Sequence, residues 1–411
     1  MMEQGRLLTK LADGTIRQVN PFTGTEILTI PGRSERPAAN NVPSPQKVEK
    51  RNPEDYCDLC EGKYFNTPPE KERLIPKDSG YVSMKDLSAG ELSLSQPLFR
   101  RIPNLFEIFT YDYWRENFGT TLSHENELRK KRYLADNDSR HHLLNVIDLK
   151  LTRTGRDPSS VDEKQKLAMA DAFFGGGHEL IVAGKHYVGE SWPIPRLYSS
   201  GEMSPEEHFH FFKFTISGMA ACYDVNPAVR YVVVFQNWLR PAGASFDHLH
   251  KQIVAADRHG PVIEQMLNAA RRNPDIFSEL GPVMARELRL LIAENEHALA
   301  FADIGHIYPT VTIQSKSRTC DPCRFNDDEL RGMSDLVHSV HRAIGGSTSC
   351  NEEWYYAPRG AGISMPWRIS IKQRINTPAG FEGVTGTYII PIDPINLRKQ
   401  LLLRLPGCVV P

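Results

Sequence analysis

One stretch limits the folds open to this chain more than any other. Tyr231-Val232-Val233-Val234-Phe235 is an uncharged, strand-length run of β-branched and aromatic residues, the pattern of a buried strand. A loop of small residues follows, Pro241-Ala242-Gly243-Ala244-Ser245, and then His248-Leu249-His250-Lys251-Gln252, which reads as a second strand. Side chains alternate across a strand, so positions 248, 250 and 252 share one face while Leu249 and Lys251 point the other way. That face offers two imidazoles and a carboxamide beside a glycine-containing loop. Such a set suits a phosphate. A neutral imidazole attacks phosphorus and splits a transfer into two easier displacements. An amide N–H then holds the developing phosphoryl charge. Gly243 and Ser245 add a backbone and a hydroxyl donor. Spacing alone also fits ordinary surface or core histidines, since His-x-His is common.

Composition narrows the function classes. The chain has 411 residues, enough for two or three domains. Its 49 basic and 50 acidic residues leave a formal net charge of -1, which argues against a general nucleic-acid binder. Met1-Met2-Glu3-Gln4-Gly5-Arg6 opens no apolar signal region, and no run approaches the roughly 18 apolar residues of a membrane span. The expectation is a cytoplasmic protein without a membrane partner. Four of the seven cysteines form two Cys-x-x-Cys pairs, Cys57/Cys60 and Cys320/Cys323. In a reducing compartment that spacing points to metal or redox chemistry rather than to a disulfide framework.

The remaining pattern alternates strands and helices. Glu26 to Ile30 reads as a short strand, Gly32 to Val48 as proline-rich loop, and Leu105 to Tyr113 as an aromatic strand. Arg129-Lys130-Lys131-Arg132 reads as a solvated helix face. Asp162 to Ala172 reads as a helix broken by Gly175-Gly176-Gly177, with a strand over His178 to Ala183. Ser204-Pro205-Glu206-Glu207 is a capping box with proline at the first helical position, predicting a helix to about Cys222. His208 and His210 diverge on that helix and are read as non-ligands. Residues 260–298 read as helical with a break at Gly281-Pro282. A strand over Tyr308 to Gln314, a helix over Asp327 to Ile344, and strands over Glu353 to Ala357, Trp367 to Gln373 and Thr387 to Pro391 follow. Strand, helix, strand, strand occurs in both halves, which implies two related α+β units.

Phe235-Gln236-Asn237, Gly243-Ala244-Ser245 and His248-Leu249-His250-Lys251-Gln252 resemble the active-site segment of the galactose-1-phosphate uridylyltransferase-like family, in the histidine-triad superfamily. That family shows an Asn, then Gly-x-Ser, then His-x-His-x-Gln. Other segments match in the same order: Asn20-Pro21-Phe22-Thr23-Gly24 with Arg33-Ser34-Glu35-Arg36-Pro37, Cys57-Asp58-Leu59-Cys60, Arg101-Ile102-Pro103-Asn104, and His178-Glu179-Leu180-Ile181-Val182 with His186. Ala379-Gly380-Phe381-Glu382-Gly383-Val384-Thr385-Gly386 is similar to an element of the nucleotide-sugar phosphorylases in the same group.

The resemblance implies an α+β fold of two histidine-triad-like units, each an antiparallel sheet with helices, in one pseudo-symmetric body. Residues 1–95 would be an N-terminal extension, 96–258 the catalytic unit, 259–298 a helical connection and 299–411 the second unit. It implies that His250 is the nucleophile and that Gln252 holds the phosphoryl oxygens, favouring an acceptor other than water. It assigns Gly243 and Ser245 to phosphate, Asn104 and Asn237 to the nucleotide, and Arg33 and Arg36 to a diphosphate, which bidentate guanidinium groups suit. Zinc would be held by Cys57, Cys60, His186 and His248, a closed set of structural type. The implied activity is transfer of a nucleoside monophosphate, uridylyl first, from a nucleotide sugar to a sugar phosphate. The alternatives are a phosphorylase that uses orthophosphate on a nucleotide sugar or dinucleoside polyphosphate, and an inactive zinc-stabilised nucleotide-binding protein. A homodimer is expected by resemblance.

Three features depart from the family. Pro366-Trp367-Arg368 replaces an element with histidines at both outer positions, so a second metal is not expected there and Arg368 stands in for a cation. Cys320 and Cys323 have no counterpart; with His338 and His341 they form a candidate Cys₂His₂ site, against the plainer reading of a helix face. Residues 125–165 are longer than the family leads one to expect, as a lid or an oligomer contact would be.

Overall fold

The computed structural model describes residues 7–33, 56–78, 80–189 and 196–405; Arg36 lies outside them. Strands β1 (Leu8–Lys10), β2 (Ile16–Val19) and β3 (Glu26–Thr29) form a meander. Strands β4 (Glu72–Lys77), β5 (Gly80–Lys85) and β6 (Phe99–Pro103) precede five helices, α1 (Tyr111–Phe118), α2 (His124–Ala135), α3 (Asn137–Arg153), α4 (Glu163–Met169) and α5 (Asp171–Gly175). Strand β7 (His178–Ala183), the short pair β8 (Tyr187–Val188) and β9 (Arg196–Leu197), helix α6 (Pro205–Val225), β10 (Tyr231–Trp238) and β11 (His250–Ala256) complete the first half. Helices α7 (Gly260–Arg272), α8 (Ile276–Ser278) and α9 (Met284–Glu287) lead to β12 (Leu291–Glu294), β13 (Ala298–Ala302) and β14 (Thr310–Ser315). Helix α10 (Asp327–Ile344), β15 (Cys350–Tyr355), β16 (Arg368–Gln373), α11 (Gly380–Thr385), β17 (Thr387–Ile389) and α12 (Pro394–Leu402) follow.

The capping signals act as read. Ser204 accepts from Glu207 N in a full capping box with Pro205 inside the first turn of α6. Asn326 and Glu329 do the same for α10, which ends at Gly345 with φ 88°. Both helices start and stop where their local chemistry says.

Eleven strands form one sheet in the order β12-β13-β14-β16-β15-β10-β11-β7-β6-β4-β5. The two expected units are therefore fused rather than stacked. In the first, β6-β7-β11-β10 lie side by side, with α6 joining β7 to β10; in the second, β13-β14-β16-β15 lie side by side, with α10 joining β14 to β15. Antiparallel pairing of β10 with β15, Gln236 opposite Glu352 and Asn237 opposite Asn351, joins the units about a pseudo-twofold axis. Each unit thereby covers the other's open edge. Helices α6 and α10 pack together over the seam, where His208 Nδ1 meets Ser334 Oγ at 2.8 Å.

Three readings of secondary structure are corrected. Leu105 to Tyr113 is a turn leading into α1, because Asn104 Oδ1 takes the Phe106 N–H and Thr110 caps the helix. Turn chemistry there overrides the β preference of aromatic residues. Residues 260–298 are not helical throughout. The chain leaves α9 with Arg289 at φ 55°, and Leu291–Glu294 joins the sheet beside β13. A short apolar run has no period that separates strand from helix. The helix over 162–172 is two, α4 and α5, meeting at Ala170. The basic run on α2 is helical but only partly solvated: Arg129 pairs with Asp86, and Lys130 with Asp171 at 2.5 Å.

Helices α1–α5 lie between β6 and β7 and carry a core of their own around Leu143, Val146, Ile147, Phe173 and Phe174. The N-terminal meander docks on the second unit. Strand β3 pairs in parallel with β17, Glu26 opposite Thr387, and Gly305 N–H donates to Gln18 Oε1 at 3.1 Å. Among the described residues no helix is long and apolar enough to cross a membrane.

Candidate active site and metal centre

The hydrogen-bonded ladder of β11 begins at His250, and His248 occupies the bend just before it. His250 is buried, and its Nδ1 lies 2.8 Å from His248 O. A carbonyl only accepts, so Nδ1 carries the proton and Nε2 keeps its lone pair. Burial above all, with the nearby His248 and His178 rings, pulls the imidazole down to about 4, so the ring is neutral at ordinary pH.

Gln252, two residues on, is oriented by a side chain that sequence reasoning did not assign to the site. His178 Nδ1 accepts the Ile108 N–H at 3.1 Å, which places the proton on Nε2. Nε2–H then donates to Gln252 Oε1 at 2.9 Å, turning the Gln252 amide NH₂ away from His178. Asn104 joins the cluster, its Nδ2 3.0 Å from His178 Nε2. Two donors face each other there, so that approach is a packing contact while Asn104 Oδ1 takes the Phe106 N–H. Parity along the strand was the available signal. His178 shares a face with Leu180, which lies opposite Gln252, but only the register of β7 on β11 reveals it.

Asn237 sits at the end of β10, its Oδ1 accepting from Asn351 of the second unit at 2.7 Å. The loop after it is bent hard. Leu239 has φ 66°, unusual for a branched side chain, and Gly243 has φ 87°, where glycine alone is unstrained. A Cβ on Gly243 would lie 3.8 Å from Asn237 Nδ2, so the loop and that amide face each other. Ser245 is exposed two residues further on. Arg33 is exposed at the turn after β3, close enough to Glu382 to lower its carboxyl pKa, behind the hydrogen bonds that Ala379 and Glu382 N–H supply.

The four residues expected to hold zinc converge. Cys57 Sγ, Cys60 Sγ, His186 Nδ1 and His248 Nδ1 all lie within 4.8 Å of one another. The sulfurs are 3.7 Å apart, and the sulfur–nitrogen distances are 3.9, 3.6, 3.2 and 3.7 Å. A tetrahedral ion with arms of about 2.3 Å to sulfur and about 2.0 Å to nitrogen has sulfur–sulfur and sulfur–nitrogen edges of roughly 3.8 and 3.5 Å, close to these five distances. His248 Nε2–H donates to Ala183 O at 2.7 Å, which aims Nδ1 at the thiols. A hydrogen bond from Cys57 and the two imidazoles favour the thiolate of Cys60, the ligand form. Two residues apart on one segment, His248 thus turns Nδ1 to the thiols while His250 turns Nδ1 to a backbone carbonyl.

The other candidate cluster does not assemble. His338 Nε2 is 2.8 Å from Met203 O, His341 Nε2 is 2.8 Å from Glu352 Oε2, and Cys320 Sγ lies by Ser364. Among the described residues the Cys57–His248 group alone brings three or more such ligand atoms together. Arg368 begins β16 as His250 begins β11, and it is buried 3.2 Å from Asp303 Oδ2. Burial would raise the Asp303 carboxyl, but His306 and Arg368 hold it well below the usual range. An ion pair thus fills the second unit's counterpart of the His250 position.

The fold defines the class: an α+β protein with the fold of galactose-1-phosphate uridylyltransferase-like proteins. The crystal structure of an ADP-glucose phosphorylase from Arabidopsis thaliana with bound ADP-glucose superposes with a TM-score of 0.60 at 16% identity, covering 94% of this chain and 98% of that one. A galactose-1-phosphate uridylyltransferase-like protein from the same plant gives 0.56 at 18% identity, covering 85% and 92%. In sequence, a curated ADP-glucose phosphorylase from Arabidopsis thaliana is 24% identical over 187 residues, 42% of this chain; the chain spans about half of that relative, 52% of its length. Residues 11–408 match one family model, and the chain belongs to that family, described as a domain of unknown function, DUF4921.

Proposed function

We propose that the protein moves a nucleoside monophosphate from a nucleoside diphosphate sugar to a phosphate acceptor through a nucleotidyl-His250 intermediate. One observation carries the reading: a buried, neutral His250 whose Nδ1–H is engaged by the His248 carbonyl and whose Nε2 is free to attack. In the first displacement Nε2 bonds to the α-phosphorus, and the bond from that phosphorus to the bridging oxygen breaks. A sugar phosphate leaves. The ring becomes cationic with its Nδ1 proton held by His248 O, so no proton has to depart. An acceptor oxygen then attacks the same phosphorus and returns His250 to neutrality.

Gln252, Gly243 and Ser245 take the phosphoryl oxygens in this scheme, Asn104 and Asn237 hold the nucleotide, and Arg33 and Arg36 balance the diphosphate charge. Cys57, Cys60, His186 and His248 would hold a zinc ion, which would supply rigidity to the segment rather than chemistry. Likeness to ADP-glucose phosphorylases in fold and in part of the sequence supports an adenylyl donor with orthophosphate as acceptor, ahead of uridylyl transfer to a sugar phosphate.

The test is covalent labelling. Protein incubated with α-³²P-labelled ADP-glucose or UDP-glucose, then denatured, should retain label. Orthophosphate or hexose 1-phosphate added before denaturation should discharge it, with orthophosphate the faster. His250→Ala should retain none. Absence of label on the unaltered protein with both donors, or equal label on the variant, would sink the reading and favour an inactive binding protein.

A further inference from the structure

The second unit carries no nucleophile, yet two adjacent residues of its strand β15 grip the strands that carry the site. On the site face, Asn351 Nδ2 donates to Asn237 Oδ1 at 2.7 Å and to Ala242 O at 2.8 Å. One buried amide thus bridges the nucleotide-facing asparagine and the strained loop before Gly243. Its own Oδ1 accepts from Arg374 Nη1 at 3.1 Å, and Arg374 lies 4.2 Å over the Tyr308 ring, so the amide cannot swing.

On the opposite face, Glu352 meets Lys251. Both side chains are fully buried, and Nζ lies 2.5 Å from Glu352 Oε1 and 3.2 Å from Gln236 Oε1. The three residues span β11, β10 and β15, so the pair crosses the seam between the units. Trp354 Nε1–H also donates to Glu352 Oε1 at 2.7 Å, and His341 holds Oε2. The rings of Phe211, Phe212 and Trp354 surround the ammonium within 5.9 Å. An apolar pair would fill this space at lower desolvation cost. What the charges add is direction: Lys251 stands between His250 and Gln252, and a strand residue fixed in place fixes the tilt of both neighbours on the other face.

We infer that Asn351 and the Lys251–Glu352 pair are positioning residues for nucleotidyl transfer, and that holding the site is the task of the second unit. The inference rests on the nucleotidyl-His250 reading for its kinetic consequence but not for its structural one. Asn351→Leu keeps the side-chain size and removes both donors. Lys251→Met with Glu352→Gln neutralises the pair without stranding a buried charge. Each variant should melt close to the unaltered protein, bind nucleotide sugar with a similar KM, and lose about a hundredfold in kcat and in labelling rate, the cost of a displacement of about 1 Å at a reacting centre. Hydrogen exchange in peptides over 237–252 should quicken while β13 and β14 stay protected.

If the unaltered protein never labels, the nucleotidyl-histidine reading falls, and exchange over 237–252 alone decides the positioning role. Unchanged kcat, or unchanged exchange over 237–252, in either variant overturns that role. So does faster exchange across the whole sheet, which would mark these residues as merely structural.

Discussion

At the scale of single residues, the site depends on which atom of each imidazole is occupied. His248 directs Nδ1 to the thiols because Nε2 is held by Ala183 O; His250 frees Nε2 because Nδ1 is held by His248 O. A cysteine change should therefore reach His250, the proposed nucleophile, through one carbonyl. Cys60→Ser is expected to abolish stoichiometric zinc by elemental analysis and to slow labelling of His250 without removing nucleotide binding. Retained zinc in that variant would disprove the ligand assignment. Spacing placed the two histidines and Gln252 on one short segment, but it was the resemblance to the family, and not strand parity, that marked them as a candidate site. His178, Asn351 and the Lys251–Glu352 pair were not legible. Their relevance depends on which strands lie side by side, and nothing local to residues 178 or 351 encodes that.

At the scale of elements, the helical insert is hinged on site residues: Asn104 precedes it and His178 follows it, joined by Asn104 N–H to His178 O at 2.8 Å. Its attachment includes a titratable group. His142 on α3 is buried, Nε2–H donating to Thr67 O at 2.9 Å and Nδ1 accepting from Tyr133 O–H at 2.6 Å. Burial lowers its pKa to about 4 from the 6.5 of an unfolded chain. The folded form refuses a proton that the unfolded form accepts, so stability is whole above 6.5 and falls as pH drops toward 4. The slope is about 1.4 kcal/mol per pH unit, or roughly 3 kcal/mol over the window. His142 adds that slope to those of the other buried histidines, so urea unfolding at several pH values should show a slope shallower by about that amount in His142→Gln than in the unaltered protein. Helix caps and the β7, β10 and α10 spans were readable because capping boxes and apolar runs are local signals. Strand β12 was not, since three apolar residues and a glutamate hold no period.

At the scale of the whole molecule, the duplication was visible as a repeated element order, whereas the fusion of both halves into one sheet was not. Nothing in β10 or β15 alone marks either as an inner edge. The meander is tied to the second unit at one point without slack. Gly305 has φ 71°, and a Cβ there would lie 2.2 Å from Asn20 N. Gly305→Ala should cost at least about 1–3 kcal/mol from strain and overpacking. Limited proteolysis should then cut between β1 and β3 while the eleven-stranded sheet resists. Resistance equal to that of the unaltered protein would show that the meander is held elsewhere.

The parallel pairing of β3 with β17 has a consequence for how the protein is made. Glu26 waits for Thr387, so β3, already paired with β2, meets its second neighbour only after β17 has been made. Contacts so distant in sequence form late and slowly. The edge of the strand that leads to Arg33 is therefore covered late, and a chain interrupted before residue 387 carries the histidines with that edge open.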